Sequence, residues 1–202
     1  MHMKDDFQAT PEETYTSYIG GNRESAPDHV MTSPRIYVAC LAAYNAGILH
    51  GCWIDANQSA DNLYSDVEAM LDASPEPGAE EWAIHDYEGF GALRLSEWES
   101  FERISGIATG IAEYGDAFSA WLSYDSSYDV TDIAAFEDAY QGEYDSLRDY
   151  ADDYAATAGL YDAADKAGSP YVTVDIDALT RDLDIETYTV SSDHHTVYVF
   201  IL

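Results

Sequence analysis

The sequence predicts an α+β protein of several domains: a small antiparallel-sheet α+β domain, a helical middle domain and a mixed C-terminal domain. Three observations lead to this prediction. Apolar residues occupy alternate positions in "RIYVAC" and in "ILHGCWI", as in strands of a half-buried sheet. Apolar residues recur every three to four positions through the middle of the chain, as in helices. Strand-like sequence returns at the end, in "TVYVFIL".

Residues 1–33 are predicted to be a mostly flexible N-terminal extension. They are polar, contain Pro11 and Pro27, and show no sustained apolar period. The opening "MHMKDDFQAT" has no apolar stretch of the kind that a signal peptide requires. The longest apolar runs of the chain are also too short to span a bilayer, so we expect a cytoplasmic protein without membrane contact.

The α+β domain is predicted over residues 34–92 and begins with a β-hairpin. Apolar residues alternate from Ile36 to Cys40, and alternation resumes from Ile48 to Ile54. Between the two runs lies "YNAG", whose asparagine and glycine tolerate the positive φ of a turn. The segment therefore predicts a strand, a turn and a second strand.

A helix and a third strand complete this first domain. Over residues 59–72 the apolar side chains have the spacing of an amphipathic helix. They are Leu63, Val67, Met70 and Leu71. The "SPEPG" segment ends the helix, and "EWAIHDYEG" (81–89) is typical of a strand.

The helical domain is predicted over residues 93–140, with three helices joined by short loops. The first helix begins at a capping box that has Ser96 as the N-cap and Glu99 three residues later. Its apolar stripe comprises Trp98, Phe101, Ile104 and Ala108. The second helix is expected over about 110–123, and the third starts near Thr131.

The C-terminal domain is predicted over residues 141–202. It opens with a helix over about 142–158, which ends at Gly159. The expected buried stripe of this helix comprises Tyr144, Leu147, Ala151, Tyr154 and Ala158. A short helix over 175–183 and two strands within 187–202 follow.

The charge balance is the most unusual property of the chain. The 39 Asp and Glu residues against 8 Lys and Arg residues give a net charge of −31 at pH 7. Such a field repels nucleic acids, anionic membranes and phosphorylated substrates, and attracts basic partners. Between residues 96 and 166 there are seventeen acids and three basic residues, and the acids alternate with aromatic residues and alanine. This pattern favours folded helices that hold charge at fixed positions, rather than a disordered acidic tail.

Carboxylates at fixed positions can imitate the phosphates of DNA. Duplex DNA carries one charge per about 1.7 Å, so 31 charges match roughly 50 Å, or about 15 base pairs. Two other readings stay open: a solvated helix surface, or the general acidity of a salt-adapted protein. The candidate phosphate mimics are Glu97, Glu99, Glu102, Glu113, Asp116, Asp125, Asp129, Asp132, Glu137, Asp138, Glu143, Asp145, Asp149, Asp152 and Asp153.

Motifs of catalysis and cofactor binding are absent from the sequence. It contains no P-loop, GxGxxG, GxSxG or HExxH pattern, and no acidic run with the spacing of an EF-hand. A strand would place His85 and Asp86 on opposite faces, where they cannot act together. Cys40 and Cys52, the only cysteines, form no CxxC motif and are expected to be reduced. We therefore expect no catalytic residue, no metal site and no cofactor.

Three segments together resemble the ArdA family of antirestriction proteins. The first is "RIYVACLAAYNAGILHGCWIDA", whose matching residues are Tyr37, Val38, Tyr44, Asn45, Gly47, Gly51 and Trp53. The second is "DYE" with the "GF" that follows it, and the third is "RDL" near the C-terminus. Their order and spacing agree with the family over about residues 35–202, which leaves only the N-terminal extension outside the resemblance.

The resemblance implies an elongated, curved protein of three domains that mimics bent B-form DNA and forms a homodimer through its C-terminal domain. Such proteins are carried by mobile genetic elements and occupy the DNA-binding groove of type I restriction–modification enzymes, which are the implied partners. It implies no catalysis. The alternative expectation is a salt-adapted acidic interaction domain that has no DNA-processing target.

Overall fold

The structure is a computed structural model that describes residues 33–125, 127–192 and 195–202. The predicted N-terminal extension, apart from Ser33, lies outside these residues. The described residues form six strands and eight helices in the order β1 (Arg35–Cys40), α1 (Leu41–Asn45), β2 (Gly51–Asp55), α2 (Ala60–Asp72), β3 (Trp82–Glu88), α3 (Phe101–Tyr114), α4 (Asp116–Tyr124), α5 (Ile133–Ala139), β4 (Tyr140–Tyr144), α6 (Leu147–Thr157), α7 (Leu160–Lys166), α8 (Ile176–Glu186), β5 (Thr187–Ser191) and β6 (Val197–Ile201). This confirms the α+β class. Within the described ranges, no helix is long and apolar enough to cross a bilayer.

The first sheet is antiparallel and has the strand order β2-β1-β3. The predicted hairpin is confirmed, since Val38 of β1 pairs with Cys52 of β2. The connection differs from a simple turn, because residues 41–45 form the short helix α1 and the second strand begins only at Gly51. The Ile48 amide donates to the Ala43 carbonyl at 2.9 Å, so local hydrogen bonds replace the expected strand pairing there.

The helix and the strand predicted to follow the hairpin are both present. Ser59 caps α2 by accepting a hydrogen bond from the Asn62 amide. Leu63, Val67 and Met70 are buried, as their helical spacing predicts. Strand β3 pairs with β1 and completes the three-stranded sheet.

The first helix of the middle region begins later than predicted. Its N-cap is Ser100, which accepts a hydrogen bond from the Arg103 amide, whereas Ser96 and Glu99 form a separate turn before the helix. The Ile84 amide of β3 donates to the Glu97 carbonyl at 3.0 Å, and this contact holds the chain beside the sheet. Trp98 is consequently 64 % exposed and does not join the predicted stripe.

A glycine divides the next two helices. The predicted helix over 110–123 is wrong at its start, because α3 continues to Tyr114 and α4 begins at Asp116. Gly115 between them has φ 68° and ψ −157°, a conformation that is essentially restricted to glycine. The third predicted helix is confirmed as α5, which Asp132 caps by accepting from the Ala135 amide.

The helix predicted over 142–158 is wrong in its first part. Residues 140–144 form strand β4, which pairs with β6, and α6 starts only after Ser146. The apolar strand β6 lies at the centre of a second antiparallel sheet, order β4-β6-β5, and so needs a partner on each side.

The buried face of α6 is therefore rotated from the predicted stripe. Tyr144 is on the strand, and Tyr154 and Ala158 are exposed. The buried residues of α6 are Tyr150, Ala151 and Ala155. Gly159 follows the end of the helix with φ 72°, as predicted. Two strands from residues 187 and 197 are confirmed as β5 and β6.

One continuous hydrophobic core extends from Ile36 of the first sheet to Phe200 of the second. The ring of Phe136 lies at its centre, with ring centroids 5.3 Å from Phe118 and 6.4 Å from Phe200. A smaller core joins α6, α8 and β6 through Tyr150, Ala151, Leu183 and Val199. The domain boundaries near residues 92 and 140 and the elongated arrangement stay predictions.

Candidate acidic interface

Most of the predicted phosphate mimics lie on the protein surface. Glu99 and Asp116 are half-buried, and the other thirteen side chains are exposed. They are distributed over the turn before α3, over α3, α4, α5 and α6, over β4 and over the connecting loops. A partner in solution can therefore reach nearly the whole set.

Two members of the set have clear structural roles. Glu99 lies 3.8 Å from the guanidinium of Arg103, so part of its charge is neutralised. Asp132 caps α5 through a 3.1 Å hydrogen bond from the Ala135 amide. The sequence indicates a capping-box position for Glu99 and no special position for Asp132, whereas the structure distinguishes both from the other acids by their partners.

Two further acids are fixed in the loop that joins α4 to α5. Asp125 accepts from the Ser127 amide at 2.8 Å, and Asp129 accepts from the Thr131 amide at 2.9 Å. These backbone hydrogen bonds favour the charged form, and so they lower the pKa of both carboxyl groups. Both side chains thus carry a full negative charge at neutral pH.

A tyrosine hydroxyl connects acids on two different helices. Tyr114, at the end of α3, donates to Glu137 of α5 at 2.9 Å. The hydrogen bond to Glu137, with burial and the charge of Glu113 also contributing, raises the pKa of Tyr114 to about 12. The phenol therefore stays protonated at neutral pH and continues to donate its hydrogen bond, with Glu113 and Glu137 both close to it.

The acids of α6 have similar partners on both sides of the helix. Asp152 accepts a hydrogen bond from Tyr161 of α7, and Asp153 accepts one from Tyr144 of β4 at 3.3 Å. The Tyr144 hydroxyl lies at the same distance from a second acceptor, the Gln141 carbonyl. Burial, followed by the charge of Asp153, raises the pKa of Tyr144 to about 12. Asp149 lies within the first turn of α6, where its amide is bonded to Ser146 at 3.2 Å.

Another hydroxyl contact joins Thr196, next to β6, to Glu143 of β4. No pattern in the sequence predicts these hydroxyl contacts, and Tyr144 was expected in a buried helical stripe instead. Tyr114 and Glu137 are separated by 23 residues, and Thr196 and Glu143 by 53, so no local period connects them. The abundance of tyrosine, 17 residues, was the only available signal, and it does not assign partners.

Basic residues compensate little of this charge. Three ion pairs occur within the described part of the chain, and only Arg103–Glu99 includes a candidate acid. Arg148 of α6 turns to Asp177 of α8, 3.2 Å away, and leaves the neighbouring acids of its own helix unpaired by arginine. The arrangement presents a strong negative field to a basic partner.

The remaining candidate groups form no reactive set. His85 contacts the edge of the Tyr44 ring, and Asp86 accepts from the Tyr87 amide. Cys40 and Cys52 are both free thiols. Among the residues that the structure describes, no group of three His, Cys, Asp or Glu side chains has the geometry to hold a metal ion.

Comparison with known proteins gives a family for this chain. No curated protein matched it. A protein-family model described as "Antirestriction protein (ArdA)" matches residues 36–198, which is most of the chain and runs from β1 into β6. The antirestriction function of that family is directed against restriction–modification enzymes. The chain belongs to the ArdA family of antirestriction proteins.

Proposed function

We propose that this chain inhibits type I restriction–modification enzymes as a non-enzymatic DNA mimic. It occupies the groove in which the specificity and methyltransferase subunits bind DNA, and it thereby prevents DNA from binding. Family membership supplies the antirestriction function. The DNA mimicry, the type I target and the binding groove are our proposals beyond that family function.

The observation that supports mimicry most strongly is the set of exposed carboxylates, from Glu97 to Asp153, with few basic neighbours. A groove that binds DNA is basic and is built to meet a regular array of negative charges. Several of these carboxylates are held by hydrogen bonds from hydroxyl or backbone groups, which fix the position of the charge and leave the charge itself intact.

Two further features belong to the proposal. The active form is a homodimer, which doubles the length of DNA that the charges can imitate. The site of action is the cytoplasm, where restriction–modification enzymes meet incoming DNA. No single carboxylate dominates the interaction, because solvent-exposed charges act mainly as a summed field that sets the association rate and the salt dependence.

A competition assay with a purified type I methyltransferase complex and labelled DNA tests the proposal. The test variant neutralises four acids on and beside α6 by changing Asp145, Asp149, Asp152 and Asp153 to Asn. The matched control neutralises four exposed acids of α2, by changing Asp61, Asp66 and Asp72 to Asn and Glu68 to Gln. Both variants have the same net charge, so a difference between them depends on position.

We expect the α6 variant to compete at least about tenfold more weakly than the parent, and the α2 control to lose much less. Single Asp→Asn changes should be nearly silent. Competition by the parent should also weaken steeply as the salt concentration rises. If the α6 variant binds the enzyme as tightly as the parent, the assignment of these carboxylates as phosphate mimics is wrong. A parent that does not compete at all contradicts the proposed function.

A further inference from the structure

Three tyrosine hydroxyls each donate a hydrogen bond to an exposed carboxylate of the candidate interface. Tyr114 donates to Glu137, Tyr144 to Asp153 and Tyr161 to Asp152. The three phenols come from different elements, α3, β4 and α7. Tyr144 and Tyr161 approach α6 from separate elements and bind adjacent residues of the same helix.

A phenol and a basic side chain have different effects on the charge of the carboxylate that they bind. An arginine or lysine that fixes a carboxylate also neutralises it, which would cancel the property that a phosphate mimic requires. A neutral hydroxyl donor restricts the carboxylate to one rotamer and leaves the full charge in place. The high pKa of Tyr114 and Tyr144 keeps these hydroxyls protonated over the physiological range.

The contact made by Tyr161 is not a by-product of core packing. Helix α7 contains no buried residue, and the Tyr161 side chain is 37 % exposed. Its hydroxyl nevertheless reaches Asp152, nine positions earlier in the chain. The hydrogen bond to Asp152 is the leading cause of the raised pKa of Tyr161.

We infer that Tyr114, Tyr144 and Tyr161 are positioning residues of the acidic interface, which preorganise Glu137, Asp153 and Asp152 for binding to a basic groove. This inference rests on the proposed function and adds to it a set of uncharged residues. Preorganisation improves affinity because fewer side-chain rotamers must be ordered when the partner binds.

The test replaces each tyrosine by phenylalanine, singly and together, and measures competition with labelled DNA for the type I methyltransferase complex. Tyr→Phe removes the hydroxyl and leaves the ring and the net charge unchanged. Tyr64→Phe is the matched control, since Tyr64 is also a half-exposed helical tyrosine and packs on Phe101. Its hydroxyl has no hydrogen-bond partner within the described residues.

We expect the triple variant to compete about three- to tenfold more weakly than the parent, and Tyr64→Phe to compete equally well. The salt dependence should keep the parent's slope, because no charge has been removed. An unchanged slope indicates that the positioning of the carboxylates has been lost and their charge has not. The α6 Asn variant, which lacks four charges, should instead show a shallower slope. A urea midpoint for each variant checks folding, and Tyr161→Phe alone suffices if the triple variant is unstable, because α7 contributes no buried residue.

The outcomes separate this inference from the proposed function. If the parent competes and the triple variant, or a folded Tyr161→Phe, competes equally well, the hydroxyls do not position the interface and the inference is overturned. A parent that fails to compete overturns the proposed function, and the positioning role falls with it.

Discussion

Gly110 of α3 lies against the ring of Phe118 of α4, so closely that a Cβ at Gly110 would stand 2.2 Å from Phe118 Cε1. This approach allows α4 to fold back onto α3 after the break at Gly115. It also places the Phe118 ring 5.3 Å from that of Phe136, at the centre of the core. The absence of a side chain at Gly110 thus makes room for the aromatic cluster on which the helices of the acidic interface pack.

Replacing Gly110 by Ala should destabilise the protein by about 1–3 kcal/mol, because the added methyl group overpacks the core against Phe118. Thr109→Ala, an exposed change one residue earlier, should alter the free energy of unfolding by less than about 0.5 kcal/mol. Urea unfolding followed by circular dichroism measures both. Equal midpoints for the two variants would contradict the close packing.

Replacing Phe136 by Ala should cost about 3–5 kcal/mol, since this ring is fully buried and contacts rings from α3, α4 and β6. Because the same core joins both sheets, residues 34–202 should unfold in one transition. Far-UV dichroism and tryptophan fluorescence should therefore give the same midpoint in the parent. Two separate transitions would show that the predicted domains are independently stable.

Two substitutions of Asp132 should separate its role as a helix cap from its role as a charge. Asp132→Ala removes the cap of α5 and should lower the free energy of unfolding by about 1 kcal/mol. Asp132→Asn removes the same charge and keeps a good N-cap, so stability should change by less than about 0.5 kcal/mol. Thermal or urea unfolding measures the difference, and indistinguishable variants would rule out the capping role.

Stability should fall at alkaline pH. Folding raises the pKa of Tyr114, Tyr140 and Tyr144 to about 12, chiefly through the Glu137 hydrogen bond for the first and through burial for the others. Since the usual pKa of tyrosine is about 10, the folded state retains protons that the unfolded chain has released between about pH 10 and 12. The free energy of unfolding should be insensitive to these groups below pH 10 and decrease above it.

Urea unfolding at pH 8 to 12 measures this dependence, and the decrease should be shallower in Tyr144→Phe, which lacks one of the three groups. Lysine titration interferes little, because the chain has only Lys4 and Lys166. A Tyr144→Phe variant whose stability falls as steeply as that of the parent would contradict the raised pKa of this tyrosine.

Local patterns predicted the elements whose partners are close in sequence. The pairing of β1 with β2, the helix with Leu63 and Val67, and the strands β5 and β6 are all found as alternation or helical spacing predicted, although β2 begins at Gly51 rather than at Ile48. In each case the apolar face and the turn or cap lie within one short segment, so the period of the sequence contains the required information.

Distant contacts decided the elements that were predicted wrongly. The backbone hydrogen bond between Ile84 and Glu97 delays the start of α3, and pairing with β6 makes a strand of residues 140–144. No window of local sequence contains the partner strand, and Tyr144 fits a helical stripe as well as it fits a strand. The true buried face of α6 was therefore recognisable only after β4 and β6 had been paired.

The sequence by itself determined the α+β class, the family resemblance and the excess of negative charge, since these depend on composition and on short motifs. Only the tertiary structure decided which carboxylates are caps, which are paired and which are held by tyrosine. A hydrogen bond such as that from Tyr114 to Glu137 forms between residues that packing alone brings together. Charge is a property of the residue, whereas the position of that charge is a property of the fold.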